Sequence, residues 1–524
     1  MAESFQMKLK CIFNLSKEAD NAKDDLAKFV KEANEAILVK GAPKGLAEKA
    51  AKISSWELRG SKLSLMIESG PHVRATAAVL RIKKALGSVL GEKYKVGIRG
   101  VNVTEFIVLI PTAQPPSKNM LEKIRAIPNV QEAKIEAAQL TVVFKPMTDL
   151  ELKRNIPDRV LTLVSKELEE ATKPVPAPAV AVQVLRQSPP KPIKFKEEPM
   201  KVAAQIGWIK EFPGRGQWIY TPPYTRLLEA IESILLDEVV KKLEFEPFML
   251  PKLIPLEVMK HMPGYLDGIP EGMYYVCPPP RDPEAFAKFK EQFKVTKEVP
   301  KEELKQVIRD PEYVLAPAQC EPFWHFFFHE VLNVEDLPFK FYDRSGWTYR
   351  WEGGGVEGLV RLQEFRRIEL VYYGRPDDVV EIRDNILNET VRTAGKTLDL
   401  EWRIVPGIPF FARAGEAQID IRDSRNVPAY DVEIYLPYRG PRETVEWLEV
   451  TACFVHKTKF IDAFKIREVK SKDLWSGCTG MGISRWVAAF LAEHGFDVDK
   501  WPKAVRDRFG KYKLPRTLTW PLKR

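Results

Sequence analysis

The amino-acid sequence predicts an α+β protein of more than one domain, and three observations carry that reading. Strand-like alternation and helical periodicity are intermixed over roughly the first 170 residues, which is the pattern of an α+β unit. A proline-dense stretch, KPVPAPAVAVQVLRQSPPKPIKFKEEP at residues 173–199, then interrupts the chain. Proline fixes φ and removes a backbone donor, so this segment is expected to be an extended, semi-rigid linker. Beyond it, Trp347 to Gly374 reads WTYRWEGGGVEGLVRLQEFRRIELVYYG, a strand, a glycine-punctuated loop and a returning strand. These place the boundaries at 1–171 for an N-terminal α/β domain, 172–200 for the linker and 201–524 for a second domain built on antiparallel strands.

The bulk numbers fit this picture. The chain has 524 residues, 45% hydrophobic and 29% charged, enough for several domains with real cores. Its net charge is +9, a mild excess compatible with a polyanionic partner. No run of ~18 apolar residues occurs and the first fifteen residues are no signal peptide, so a cytoplasmic protein without a membrane segment is expected. Five scattered cysteines argue against a disulfide framework and for reduced thiols or metal ligands.

In chain order, Met7–Leu15 alternates as a strand, and Ser16 is positioned to cap a helix running to about Lys40. Alternation returns at Trp56–Ile67, and Val73–Leu90 reads as a helix carrying Arg74, Arg81, Lys83 and Lys84, a basic face able to meet phosphates or to be merely solvated. Strands follow at Tyr94–Ile110 and Gln131–Phe144. Thr148 and Glu151 then form a capping box ahead of a further helix. In the second domain, Thr225–Lys242 is an amphipathic helix and Glu244–Leu253 reads as a strand. Pro251 within it belongs at an edge or bulge, a place suited to a subunit contact. Residues 282–310 form a charged helical insertion, 376–400 another helix, and Tyr430–Tyr438 and Glu446–Val455 two more strands. WSGCTGMGISRW (475–486) runs into a final helix, and from Trp501 onward eight basic residues face one acidic one.

The 347–374 hairpin carries the chemistry. Alternate strand residues share a face, so Arg350 pairs with Glu352, and Arg361, Gln363, Phe365, Arg367 and Glu369 are expected together. Guanidinium forks match phosphate oxygens, and a flat ring suits a base. His325 and His329 have the i, i+4 spacing of helical metal ligands but lack the glutamate that would make the motif, so WHFFFH reads as aromatic packing.

The stretches APAQCEP, TYRWEGGGVEGLVRLQEFRRIE, YDVEIYLPYRG, EWLEV and WSGCTGMGISRW, in this order, resemble the class II aminoacyl-tRNA synthetases, and most closely the methanogen-type (type 2, zinc-dependent, archaeal) seryl-tRNA synthetases. The resemblance covers essentially the whole chain. It implies an antiparallel catalytic sheet flanked by helices, a tRNA-binding N-terminal domain, a homodimer, and activation of serine with ATP before transfer to tRNA(Ser), with tRNA(Sec) a further acceptor. It implies that Arg350 holds the α-phosphate, Glu352 meets the adenine amino group, and Phe365 lies under the adenine. Arg361 and Arg485 flank the γ-phosphate, and Glu449 holds Mg2+ with ATP. It also implies one Zn2+ on Cys320, Glu369 and Cys478, with the open fourth position taken by the substrate amino group. Read on their own, lone cysteines are small core residues. Gln319, Gln363 and Glu321 are expected as partners of the substrate hydroxyl. Ala452 and Phe454 stand where the family offers small polar side chains. Two rivals remain open: a ligase of the same fold acting on another small amino acid or a non-tRNA carrier, and a non-catalytic RNA-binding paralogue.

Overall fold

The computed structural model of the chain describes residues 5–43, 50–70, 72–112, 118–136, 139–172, 183–409, 423–470, 472–517 and 519–521. The chain divides into two compact units, Met1–Val180 and Ala181–Arg524. The first ten residues of the proline-rich stretch, 173–182, lie outside the described residues.

The first unit is built on an antiparallel sheet. Its strands are β1 (Gln6–Leu15), β2 (Lys52–Arg59), β3 (Lys62–Ser69), β4 (Ile98–Pro111), β5 (Val130–Glu136), β6 (Gln139–Phe144) and β7 (Met147–Thr148). The order is β2-β3-β1-β4-β6-β5, with β7 paired to β4. Alternation in MKLKCIFNL has its cause here: Leu9, Cys11, Phe13 and Leu15 are buried while the residues between them lie nearer solvent. They share a core with the inward stripes of α1 (Lys23–Glu32), α2 (Ala75–Tyr94) and α3 (Ile156–Thr172). The capping box is present, with the Thr148 amide donating to Glu151 Oε2 at 2.7 Å. Ser16 does not cap α1. Its hydroxyl accepts from the Gly97 amide at 2.9 Å, tying the end of β1 to the turn before β4.

The basic face of α2 is largely committed within the unit. Arg74 pairs with Asp158 and Lys83 with Asp149. Arg81 donates to the Lys40 carbonyl at 2.6 Å, closing the chain that follows α1. Of the four basic residues read from the sequence, Lys84 remains exposed.

The second unit has an eight-stranded sheet of β8 (Arg186–Gln187), β9 (Glu246–Phe248), β10 (Phe339–Asp343), β13 (Ile368–Gly374), β14 (Trp402–Gly407), β15 (Ala429–Ile434), β16 (Leu448–Lys457) and β17 (Trp475–Met481), while β11 (Trp347–Tyr349) and β12 (Glu364–Arg366) form a separate ribbon. The sheet order is β9-β10-β13-β17-β16-β15-β14-β8. Apart from the parallel β9–β10 pair, neighbours are antiparallel. The helices α4 (Pro222–Leu235), α6 (Pro376–Arg392) and α7 (Ile483–His494) bury their apolar faces in the same core as the sheet. α5 (Glu321–Phe326) packs Phe323 and Trp324 into a second cluster. The histidines of WHFFFH lie among rings, His325 stacked on Phe328 at 5.5 Å and His329 edge-on to it at 4.2 Å.

Two strand expectations are corrected. Glu244–Leu253 is not one strand: Glu246–Phe248 joins the large sheet, Leu253–Pro255 joins a small one, and Pro251 lies between them. Val360–Tyr373 is likewise broken at Arg367, with β12 pairing β11 and β13 entering the large sheet. The later half of the proline-rich stretch is anchored within the second unit. β8 pairs with β14, the Lys191 amide donates to Glu401 at 2.7 Å, and Lys191 and Lys194 both meet Asp399 at 2.5 Å.

The centre of the large sheet is packed without slack. A Cβ on Gly477 would lie 2.2 Å from the Tyr372 ring and 2.5 Å from the Phe454 carbonyl. Gly477→Ala is therefore expected to destabilise the protein by about 1–3 kcal/mol, the usual cost of overpacking a well-filled core, read as a lowered thermal midpoint against wild type.

Candidate active site

The large sheet makes a cavity because the residues along one of its faces are small. In register across the sheet, Glu369 faces Gly480, Gly480 faces Ala452, and Ala452 faces Asp431. Two residues along lies the row Cys478, Phe454, Ala429 and Gly407. Glycines and alanines thus form much of a floor beneath a cavity of about 260 Å3. Longer side chains lie across this floor. A Cβ on Gly480 would sit 1.5 Å from Arg367 Nη2, and one on Gly407 would sit 2.5 Å from Asp431 Oδ2.

The walls come from distant segments. The hairpin brings Arg350, Glu352, Arg361, Phe365, Arg367 and Glu369; β16 brings Glu449, and the first turn of α7 brings Arg485. Arg350 is aimed by an Nε bond of 3.1 Å to the Pro317 carbonyl. Arg485 is fixed between the Val360 carbonyl at 3.1 Å and the Glu449 carbonyl at 3.0 Å, with the Glu449 carboxylate 3.6 Å away. The glycine loop turns at Gly353 (φ +50°) and Gly358 (φ +47°), conformations that favour glycine. It closes through a Glu357–Arg361 bridge, and Glu357 is held by Arg439 at 2.5 Å.

Alternation along the return strand holds for Arg361, Phe365, Arg367 and Glu369, but not for Gln363. The Gln363 side chain is withdrawn from the cavity, its Oε1 accepting from the Tyr274 hydroxyl at 2.8 Å and from the Glu352 amide at 3.0 Å. Gln319 also does not line the cavity. It is fully buried with φ +76°, and its amide donates to the Gly346 carbonyl at 3.4 Å. Neither is in place to meet a substrate hydroxyl. Glu321 is buried with one oxygen accepting from the Ala318 amide at 2.9 Å, in the turn that leads into α5.

Cys320, Cys478 and Glu369 come together at the cavity although 49 and 109 positions separate the sequence neighbours among them (369−320 and 478−369). The Cys320, Cys478 and Glu369 side chains lie close enough for each to perturb the ionisation of the others. Burial pushes the Glu369 carboxyl up to about 8 against the opposing pull of Arg367. Arg367 Nη2 lies 2.8 Å from Glu369 Oε2 but off the hydrogen-bonding angle, leaving that oxygen buried without a hydrogen-bond partner. Burial also raises the Cys478 thiol; the neighbouring Cys478 thiol draws Cys320 down, while burial and the carboxylates Glu369 and Glu321 leave it above its ordinary value. Among the described residues no three His, Cys, Asp or Glu side chains form a ready-made metal cage. The donor set itself, two thiols and a carboxylate with an unsatisfied oxygen, fits zinc.

Three residues absent from the sequence-based site also belong here. Asp431 lines the cavity, its carboxyl pushed up to about 8 by burial and by Glu449 and Glu433. His456 lines it beside Cys478, and burial holds its imidazole down to about 3, hence neutral. Tyr274 lies behind it, on Gln363. Each is brought in by cross-strand or loop contact, with no local motif.

Residues 5–166 match the family described as tRNA-binding domain, and residues 303–494 match tRNA synthetase class II core domain (G, H, P, S and T). The chain is 42% identical to the type-2 serine–tRNA ligase of Methanocaldococcus jannaschii over the full length of both. It is 40% identical to that of Methanopyrus kandleri over 97% of this chain and 98% of the relative. The solved complex of M. kandleri SerRS with A. aeolicus tRNASec superposes with a TM-score of 0.84, 39% identity and 99% coverage of both chains. The cytoplasmic serine–tRNA ligase of Naegleria fowleri, at 14% identity and a TM-score of 0.50, covers 70% of this chain and 74% of its own, a likeness of fold alone. The class II core, the tRNA-binding unit and the full-length identity agree, and the chain belongs to the type-2 serine–tRNA ligase family of class II aminoacyl-tRNA synthetases.

Proposed function

We propose that the cavity over the glycine–alanine floor is where serine and ATP combine as seryl-adenylate and from which the seryl group passes to tRNA. The observation that carries this is the convergence of Arg350 and Arg361 from the hairpin with Arg485 from α7, beside Glu352, Phe365 and Glu449, at a cavity that also holds Cys320, Glu369 and Cys478. In the first step a serine carboxylate oxygen attacks the α-phosphorus and pyrophosphate leaves in line. The protein supplies position and charge: Arg350, fixed to the Pro317 carbonyl, neutralises the α-phosphate, and Arg361 and Arg485 receive the departing pyrophosphate. Phe365 offers a flat face to the adenine, and Glu352 an acceptor for its amino group.

Glu449 would hold magnesium, which when bound adds neutralising charge on the phosphate oxygens. Cys320, Glu369 and Cys478 would hold zinc, which when bound supplies a Lewis-acid grip on the substrate amino group. The N-terminal unit, 1–171, takes the tRNA, joined through 172–200 to the catalytic unit, 201–524; the relative from M. kandleri supports this reading through its complex with tRNASec. A homodimer through the segment around Phe245–Leu253 is favoured by Met249, 87% exposed, and Leu253, 45% exposed, whereas Phe245 is buried in its own core. Working on tRNA, the enzyme acts in the cytoplasm; among the described residues no helix is long and apolar enough to cross a membrane.

A second reading, activation of another small amino acid, is favoured by one observation: Ala452 and Phe454 lie on the cavity floor itself. An apolar wall separates neighbouring substrates by only about 1–3 kcal/mol, whereas a site that hydrogen-bonds the hydroxyl rejects alanine by about ten-thousandfold. ATP–pyrophosphate exchange with serine, threonine, alanine, cysteine and glycine, compared as kcat/KM, is expected to favour serine. Exchange with another of these and none with serine would overturn the serine assignment.

Removing Tyr274's hydroxyl in Tyr274→Phe takes one of the two donors from Gln363 and loosens the turn that presents Glu352. The expected result is a rise in the KM for ATP of roughly fivefold, about 1 kcal/mol, with the KM for serine little changed. Elemental analysis of the purified chain is expected to give one zinc per polypeptide, and Cys478→Ala to lose both the metal and exchange activity. Full activity in metal-free protein would remove zinc from this account.

A further inference from the structure

We propose that Glu232, buried on α4, is a positioning residue for the nucleotide: through Arg366 and Ser484 it sets the spacing between Phe365 and Arg485. The inference deepens the adenylate reading above and rests on it. It begins on the side of the β11–β12 ribbon turned away from the cavity. Phe365 lines the cavity and Arg366, the next residue of β12, does not, since successive strand residues point to opposite faces. Arg366 Nη2 donates instead to Glu232 Oε1 at 3.0 Å and to the Arg344 carbonyl at 3.2 Å. The Arg366 backbone amide donates to Ser484 Oγ at 3.0 Å. Ser484 belongs to the first turn of α7, next to Arg485, so α4, the ribbon and α7 meet at one residue.

Glu232 is 5% exposed, beside Ile231, Ile234 and Leu235 of the same helix, all fully buried. A carboxylate is seldom kept in such a place unless it is paired. Among the described residues its ion-pair partners are Arg366 at 3.0 Å and the half-exposed Arg344 at 3.8 Å. Among the described residues lining the cavity none comes from α4, so Glu232 acts on the chemistry through position. What it positions is a span. The ribbon presents Phe365 to the adenine, and α7 presents Arg485 to the terminal phosphates. ATP reaches from one to the other, whereas AMP stops at the α-phosphate, beside Arg350. A shift of about 1 Å between such groups costs as much as a hundredfold in rate. Glu232 and Ser484 hold the two elements against that shift from behind.

Calorimetric titration of the full-length chain with a non-hydrolysable ATP analogue and with AMP, both with Mg2+, tests this. Glu232→Gln keeps the shape and removes the charge, and Ser484→Ala removes one hydroxyl. Each is expected to weaken the ATP analogue by roughly five- to tenfold, the worth of one hydrogen bond, and to leave AMP binding unchanged. The double variant is expected to lose less than the two losses multiplied together, because both act on one contact between elements. Glu232→Asp, which keeps the carboxylate, is expected to recover part of the binding. In ATP–pyrophosphate exchange the KM for ATP should rise while the KM for serine stays. Equal weakening of both nucleotides, or of neither, would overturn the inference and leave the adenylate reading intact. Failure of the wild type to bind the ATP analogue would overturn both. Ser484→Ala decides the point if Glu232→Gln fails to fold.

Discussion

The second unit depends on keeping a strip of its sheet nearly bare. Gly480, Ala452, Ala429 and Gly407 occupy one face of neighbouring strands, and a methyl group at either glycine would collide with the charged side chain lying over it. Burying a charge is costly unless it is paired or solvated. Arg367 answers this by lying against Glu369, and Asp431 by keeping its proton close to neutral pH. The space above the floor is thus lined by groups whose charges are only partly satisfied by the protein. That is the condition under which a polyphosphate and its counter-ions are recognised strongly, because the partners they replace are weak.

Much of the fold was legible because burial writes itself into period. The alternation of MKLKCIFNL, the capping box at Thr148 and Glu151, and the strand at EWLEVTACFV answer to observed elements, and YDVEIYLPY holds a strand as far as Ile434. What misled was the assumption of continuity. A hydrophobic alternation that passes through a change of partner looks unbroken, and so Val360–Tyr373 read as one strand although β12 and β13 pair with different neighbours. Gln363 turns away for a related reason: it precedes β12, in the bend that leaves the glycine loop, so strict alternation has not yet begun there. Gln319, expected as a hydroxyl partner, departs for another reason. Its left-handed backbone, φ +76°, and its bond to the Gly346 carbonyl keep the side chain out of the cavity.

The residues the sequence hid share a mechanism of concealment. Asp431 and His456 reach the cavity across strands, and Tyr274 reaches Gln363 from a segment some 89 positions away. No window of ten or fifteen residues contains both partners of any of these contacts. The basic face of α2 illustrates the converse: a visible charge pattern whose members, Arg74, Arg81 and Lys83, turn out to hold the first unit together. Charge in a sequence is a count of possible partners, and only packing says which are internal.

The edges of the large sheet are blunt. At one side stand the three residues Glu246–Phe248; at the other stand only Arg186 and Gln187, donated by the proline-rich stretch and held by Lys191 and Lys194 on Asp399. A long unpaired strand edge is an invitation to pair with a foreign one. The two-residue strap therefore protects Trp402–Gly407 from self-association, and the segment that looks like a mere spacer belongs in part to the solubility of the catalytic unit. A fragment begun after Pro199 would uncover that edge, whereas one begun at Ala181 would keep it covered.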